Sequence, residues 1–113
     1  MNDLPQANQR IIETPYGRAL GNSFRWSGGQ YCAIHTMRGL VGCGIYDVRI
    51  AGEFGQAVAI ARGTPQQPLC EPEDLFAAKI VEVSPPAQAL GISPGMTGLE
   101  AVHKLLQAEQ PAS

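Results

Sequence analysis

"GGQYCAIHTMRGLVGCGIYD", Gly28 to Asp47, holds two of the three cysteines, one of the two histidines and an aspartate. It reads as a reactive centre or as a packed β-hairpin, and register separates the two. Opposed residues of a hairpin share a face. With Arg38-Gly39 as a two-residue turn, Met37 faces Leu40, Ile34 faces Cys43 and Cys32 faces Ile45. Cys32, Ile34, Thr36, Val41, Cys43 and Ile45 then share one face. Ala33, His35 and Met37 share the other with Leu40, Gly42 and Gly44. On this reading His35 points away from both cysteines, and the hairpin contains no Cys/His site. A loop of odd length exchanges the faces and puts His35 beside Cys43. The two-residue turn is preferred because it collects a continuous apolar face, and such turns are the commonest hairpin connections.

The neighbouring stretch extends the pattern. With Gly28-Gly29 as a turn, Trp26 faces Tyr31, Phe24 faces Ala33, Asn22 faces His35, and Arg25 sits opposite Cys32. That makes the second face aromatic. A few short helices cannot cover both faces of such a sheet, so one is expected to be buried against another subunit. "RIIET", "GRALGNSFRW", "QYCAIHTM" and "LVGCGIY", separated by glycine-containing turns, form an expected meander.

Beyond it, helix and strand alternate. "DVRIAGEFG" is a helix with Asp47 as N-cap and Gly55 just past its end. "QAVAIAR" is a buried strand, "GTPQQPLCEP" a loop, "PEDLFAA" a short helix with Pro72 in its first turn, and "KIVEVS" a strand. "PPAQALG" is a helix closed by Gly91, with Ile92 as the apolar residue of a Schellman motif. "TGLEAVHKLL" opens on a capping box, Thr97 with Glu100, and aligns Leu99, Val102 and Leu106 on one face. The fold class is therefore α+β: an N-terminal antiparallel β-meander, then alternating short helices and strands, then a C-terminal helix. Residues 1–9 are expected to be disordered, 10–108 to form a single domain with 10–46 as its β oligomerisation region, and 109–113 to fray.

Composition bounds the function. The 113 residues fit one domain. Only 16% are charged, with a net charge of −2, so no basic face suits nucleic acid or anionic lipid. No apolar stretch spans a membrane and no secretory signal is visible. Three cysteines without framework spacing suit thiols in a reducing cytoplasm. GxSxG, HExxH, Rossmann and phosphate-loop motifs are all missing, and "GISPGMTG" lacks the GK[ST] ending. Nothing calls for a cofactor or a metal; Cys32 with Cys43 lacks zinc-ligand spacing.

The pieces "GGQ…GLVGCGIYD", "GEFGQAVAIARG" and "AAKIVEVS…ALGISPGMTGLEAV" resemble the YunC-like family of small bacterial and archaeal proteins, a family of unknown function. The resemblance runs from about Gly17 to Leu106 and implies an α+β fold whose N-terminal β region serves tetramerisation. It implies no reaction and no catalytic roles. The proline-rich loop "GTPQQPLCEP", which carries Cys70, is longer here than in that family.

Four residues carry the chemistry worth testing. Cys43, between Gly42 and Gly44 and ahead of a helix N-terminus, is a candidate nucleophile or ligand contact. The plain alternative is a small buried sheet residue. Asp47 would orient a group there, or merely cap its helix. Arg62, followed by Gly63-Thr64, would bind an anion, and His35 would act at a subunit interface, bonded to Asn22. His103 is expected to be solvated and Cys70 a plain thiol. Two readings follow: a homotetrameric cytoplasmic protein without assignable reaction, or a small-molecule enzyme or binding protein with its site at a subunit boundary.

Overall fold

In the computed structural model, which describes residues 4–44 and 46–109, two turns set the architecture. Thr36 closes the first: its hydroxyl donates to Gly39 O at 2.9 Å and accepts from the Arg38 and Gly39 amides, both at 3.2 Å. The turn residues are thus Met37-Arg38, one position earlier than expected. Gly39 belongs to the strand because a Cβ built there would lie 2.1 Å from the Ala57 carbonyl oxygen. The second turn is likewise Ser27-Gly28. Gly29 lies opposite Trp26, whose ring approaches within 3.1 Å of where a Gly29 Cβ would stand.

These turns join β2 (Gly17–Trp26), β3 (Gly29–His35) and β4 (Gly39–Gly42), and with β1 (Gln6–Thr14), joined to β2 through Pro15-Tyr16, they make the expected antiparallel meander. The β2–β3 and β3–β4 registers are displaced from the expected ones, so Ile34 faces Val41, Phe24 faces Tyr31, Asn22 faces Ala33 and Arg25 faces Gln30. The displacement preserves parity, so the assignment of side chains to faces stands and His35 points away from Cys32 and Cys43. β1 begins at Gln6, and Gln6–Gln9, expected to be disordered, pair with Asn22–Arg25. β4 stops at Gly42, and Ile45 lies outside the described residues.

The second half follows the expected alternation. The chain passes through α1 (Val48–Glu53) into β5 (Ala57–Arg62), which runs parallel to β4. A 3-10 turn (Pro72–Leu75) replaces the expected "PEDLFAA" helix, with Pro72 in its first turn. Then come β6 (Lys79–Val83), α2 (Pro85–Ala89) and α3 (Gly98–Glu109). The six strands lie in chain order, β1 to β6, in one mixed sheet. The fold is α+β.

Local chemistry ends the helices as anticipated. Asp47 Oδ1 accepts from the Arg49 and Ile50 amides at 2.8 and 3.3 Å, and Gly55 takes φ +72° past the end of α1. After α2, Gly91 N–H reaches Gln88 O and Ile92 N–H reaches Ala87 O, the Schellman pair, with Ile92 buried. At α3, Thr97 Oγ1 accepts from the Glu100 amide while Glu100 Oε1 accepts from the Thr97 amide, the reciprocal capping box.

One sheet face carries the core. Ile12, Ala19, Cys32, Ile34, Val41, Ala59 and Ala61 pack there against Leu75, Val102, Leu105 and Leu106. Pro72 sits over Gly21, where a Cβ would meet its ring at 2.7 Å. Arg10 ties β1 to this layer by ion pairs to Glu71 and Glu73, and Arg25 pairs with Glu71. On the opposite face of β1–β3, Ile11 (57% exposed), Leu20 (38%) and Trp26 (44%) stay open to solvent.

Candidate functional site

The parallel pair β4–β5 makes the site. Parallel strands end on the same side, so Cys43-Gly44 after β4 and Arg62-Gly63-Thr64 at the end of β5 come together. Carboxyl ends of parallel strands are where α/β proteins hold ligands. Here they line an open cleft of about 550 Å³, together with Gln30, Tyr46, Leu69 and Glu82. That volume falls in the range usual for small-molecule sites.

Cys43 is buried at 8% exposure and lines the cleft. Its backbone N–H donates to Cys32 O at 3.2 Å, carrying the ladder one pair beyond Ala33 and Gly42. The two cysteines are therefore directly opposed on the core face, where the expected register had separated them. The Cys32 thiol is fully buried. Its hydrogen bond to the Cys43 sulfur, followed by burial itself, pushes it far above the ordinary thiol range.

Of the residues named from the sequence, Cys43 and Arg62 line the same cleft. Asp47 does not line it; its carboxylate is engaged as the α1 N-cap. His35 lies on the opposite sheet face, where its Nε2 donates to Asn22 Oδ1 at 2.7 Å. The bond to Asn22 is diagonal across the strands rather than between opposed residues. Burial lowers the His35 pKa from its usual 6.5. Burial raises the Tyr46 pKa to about 12.

Tyr46 went unnoticed in the sequence. Its ring covers Gly42, where a Cβ would meet it at 2.4 Å, and continues an aromatic row of Trp26, Phe24 and Tyr31. The signal was an aromatic side chain placed to fold back over a glycine strand end. His103, expected to be solvated, is half-buried and stacks on Tyr16 with ring centres 3.7 Å apart. Cys70 is half-buried and lines a second cleft of about 670 Å³ with Asp74, whose carboxylate accepts from the Cys70 amide. Among the described residues, no group of three or more His, Cys, Asp or Glu side chains is placed to hold a metal ion. Nor is any helix among them long and apolar enough to cross a membrane.

A solved protein of unknown function from Thermoplasma acidophilum has a similar fold at 21% identity and a TM-score of 0.77, over 93% of this chain and 98% of that one. Residues 42–105, more than half of the chain, match the domain of unknown function DUF1805, and the chain belongs to that family. The matched segment starts at the end of β4 and contains most of the cleft, whereas the meander lies ahead of it. No curated protein matches the chain.

Proposed function

We propose that the protein works in the cytoplasm as a homotetramer, its subunits meeting through the open face of β1–β3. One observation carries this reading: Ile11, Leu20 and Trp26 are exposed on a single sheet face, with Phe24, Tyr31 and Leu40 half-buried beside them. Ile11 and Leu20 are directly opposed, so the apolar surface is continuous across strands. A contiguous patch of this kind on a sheet marks an interaction surface. Four copies is the number implied by the YunC-like resemblance, and thiol cysteines suit the cytoplasm. Light scattering on the purified protein tests the assembly. A mass near four times 12.0 kDa supports it, and a mass of 12.0 kDa at every concentration refutes it.

A second reading is favoured by the cleft. Cys43 would contact or attack a small molecule and Arg62 would hold its anionic group, with Asp47 supporting the helix start beside them. Tyr46 belongs both to the aromatic row and to the cleft wall, so a copy docked on the open face would border the cleft. Thiol labelling of the native protein tests this reading. Labelling of Cys43 no faster than of fully buried Cys32 removes its support.

A further inference from the structure

Cys32 and Cys43 are eleven positions apart in sequence and opposite each other in the sheet. The Cys43 N–H to Cys32 O bond makes them a hydrogen-bonded antiparallel pair, with Cα atoms about 5.5 Å apart in such ladders. Disulfides form at Cα separations of about 4.4–6.8 Å. Both side chains lie on the core face, in one buried cluster. Only Cys43 reaches the cleft; Cys32 has no exposed surface. One sulfur is therefore accessible and the second waits behind it.

We infer that Cys32 and Cys43 form a dithiol–disulfide couple, oxidised through the cleft by a small carboxylate-bearing disulfide. The Cys43 thiolate attacks one sulfur of the small disulfide. A mixed disulfide forms, and the first small thiolate leaves and takes up a proton. Cys32 then attacks the Cys43 sulfur, and its proton passes to the second small thiolate as that thiolate leaves. The protein gives up two hydrogens, and the small disulfide is reduced to two thiols. Arg62 on the cleft wall meets the carboxylate of the incoming molecule. Because only Cys43 reaches the cleft, it reacts first and Cys32 second. Closing the bond removes the Cys43 thiol from the cleft and fastens β3 to the end of β4.

The inference rests on the reading of the cleft given above and is independent of self-association; a Cys43 that labels readily but never joins Cys32 leaves that reading standing and ends this inference. The test treats the full-length reduced protein with oxidised glutathione and reads intact mass and non-reducing peptide maps. The expected product is lighter by two hydrogens, with Cys32 joined to Cys43, and Cys70→Ser gives the same product. In Cys32→Ser, which lacks the second sulfur, a glutathione adduct accumulates on Cys43. A persistent glutathione adduct on Cys43 of the unsubstituted protein overturns the inference. So does a bond to Cys70, or no reaction at Cys43. The unsubstituted protein and Cys70→Ser decide the matter even where Cys32→Ser fails to fold.

Discussion

Replacing Ser84 by alanine removes one oxygen atom that serves three backbone partners. The Ser84 hydroxyl donates to Gln56 O at 2.7 Å and accepts from Val58 N–H at 2.9 Å and Ala87 N–H at 3.4 Å. It thereby caps α2 and extends the β5–β6 pairing, in which Ser84 N–H also reaches Val58 O. Ser84 is fully buried, so water cannot take the place of the lost oxygen. Losing a helix cap costs about 1 kcal/mol. Stranding a buried amide, here Val58 N–H, costs about 1–3 kcal/mol more. Ser84→Ala is therefore expected to lose about 3 kcal/mol, a large share of the roughly 5–15 kcal/mol available to a small domain. The internal comparison is Thr97→Ala, which removes the α3 cap at a site water reaches and should cost about 1 kcal/mol. Urea unfolding followed by far-ultraviolet circular dichroism reads both, and a loss of about 3 kcal/mol lowers the midpoint by about 1–3 M. Equal losses in the two variants would refute the idea that burial, rather than capping alone, makes Ser84 important.

Three further outcomes are expected. Leu20→Glu on the open face should break the proposed self-association. Burying the exposed part of a leucine is worth about 1 kcal/mol, it counts twice across a two-fold contact, and desolvating two carboxylates adds more. Dissociation should therefore rise at least about 30-fold in a sedimentation dilution series, and an unchanged constant would place the interface elsewhere. Gly39→Ala should cost about 2–3 kcal/mol in urea unfolding because its methyl meets the Ala57 carbonyl, whereas Gly44→Ala, with open space around it, should stay within about 0.5 kcal/mol; similar costs would argue against the observed turn. His35 has a lowered pKa, so as pH falls through 6.5 the unfolded chain takes up a proton that native His35 refuses. Stability should decline below that pH until native His35 itself protonates; His35→Gln should flatten this part of a stability–pH curve, and an unchanged slope would assign it to another group.

What could be read in advance followed the range of the interactions involved. The caps at Asp47, Thr97 and Gly91 act within a few residues, and each was legible from neighbouring side chains. The two sheet faces were legible because alternation survives a displaced pairing so long as parity is kept. The registers were not, because distant groups decide them. Ala57 O excludes a side chain at Gly39, and the Trp26 ring lies against Gly29. Thr36, able to close a turn with its own hydroxyl, was the overlooked local signal. The early start of β1 has the same origin, since Gln6–Gln9 are polar and acquire order by pairing with β2. That error in register also hid the opposition of Cys32 and Cys43. That Cys43 and Arg62 line one cleft depends on β5 lying parallel beside β4, a pairing made through α1 that no short motif announces.

The strands of the sheet lie in the same order as in the chain. Every strand therefore finds its neighbour in the next segment to be made, and no late strand must be threaded between two earlier ones. Local topology of this kind lowers the loop-closure entropy opposing each step and favours rapid folding. The three N-terminal strands can zip together on the ribosome before the cleft-forming half has been synthesised, so a nascent chain would show its greasy ribbon to its sisters early.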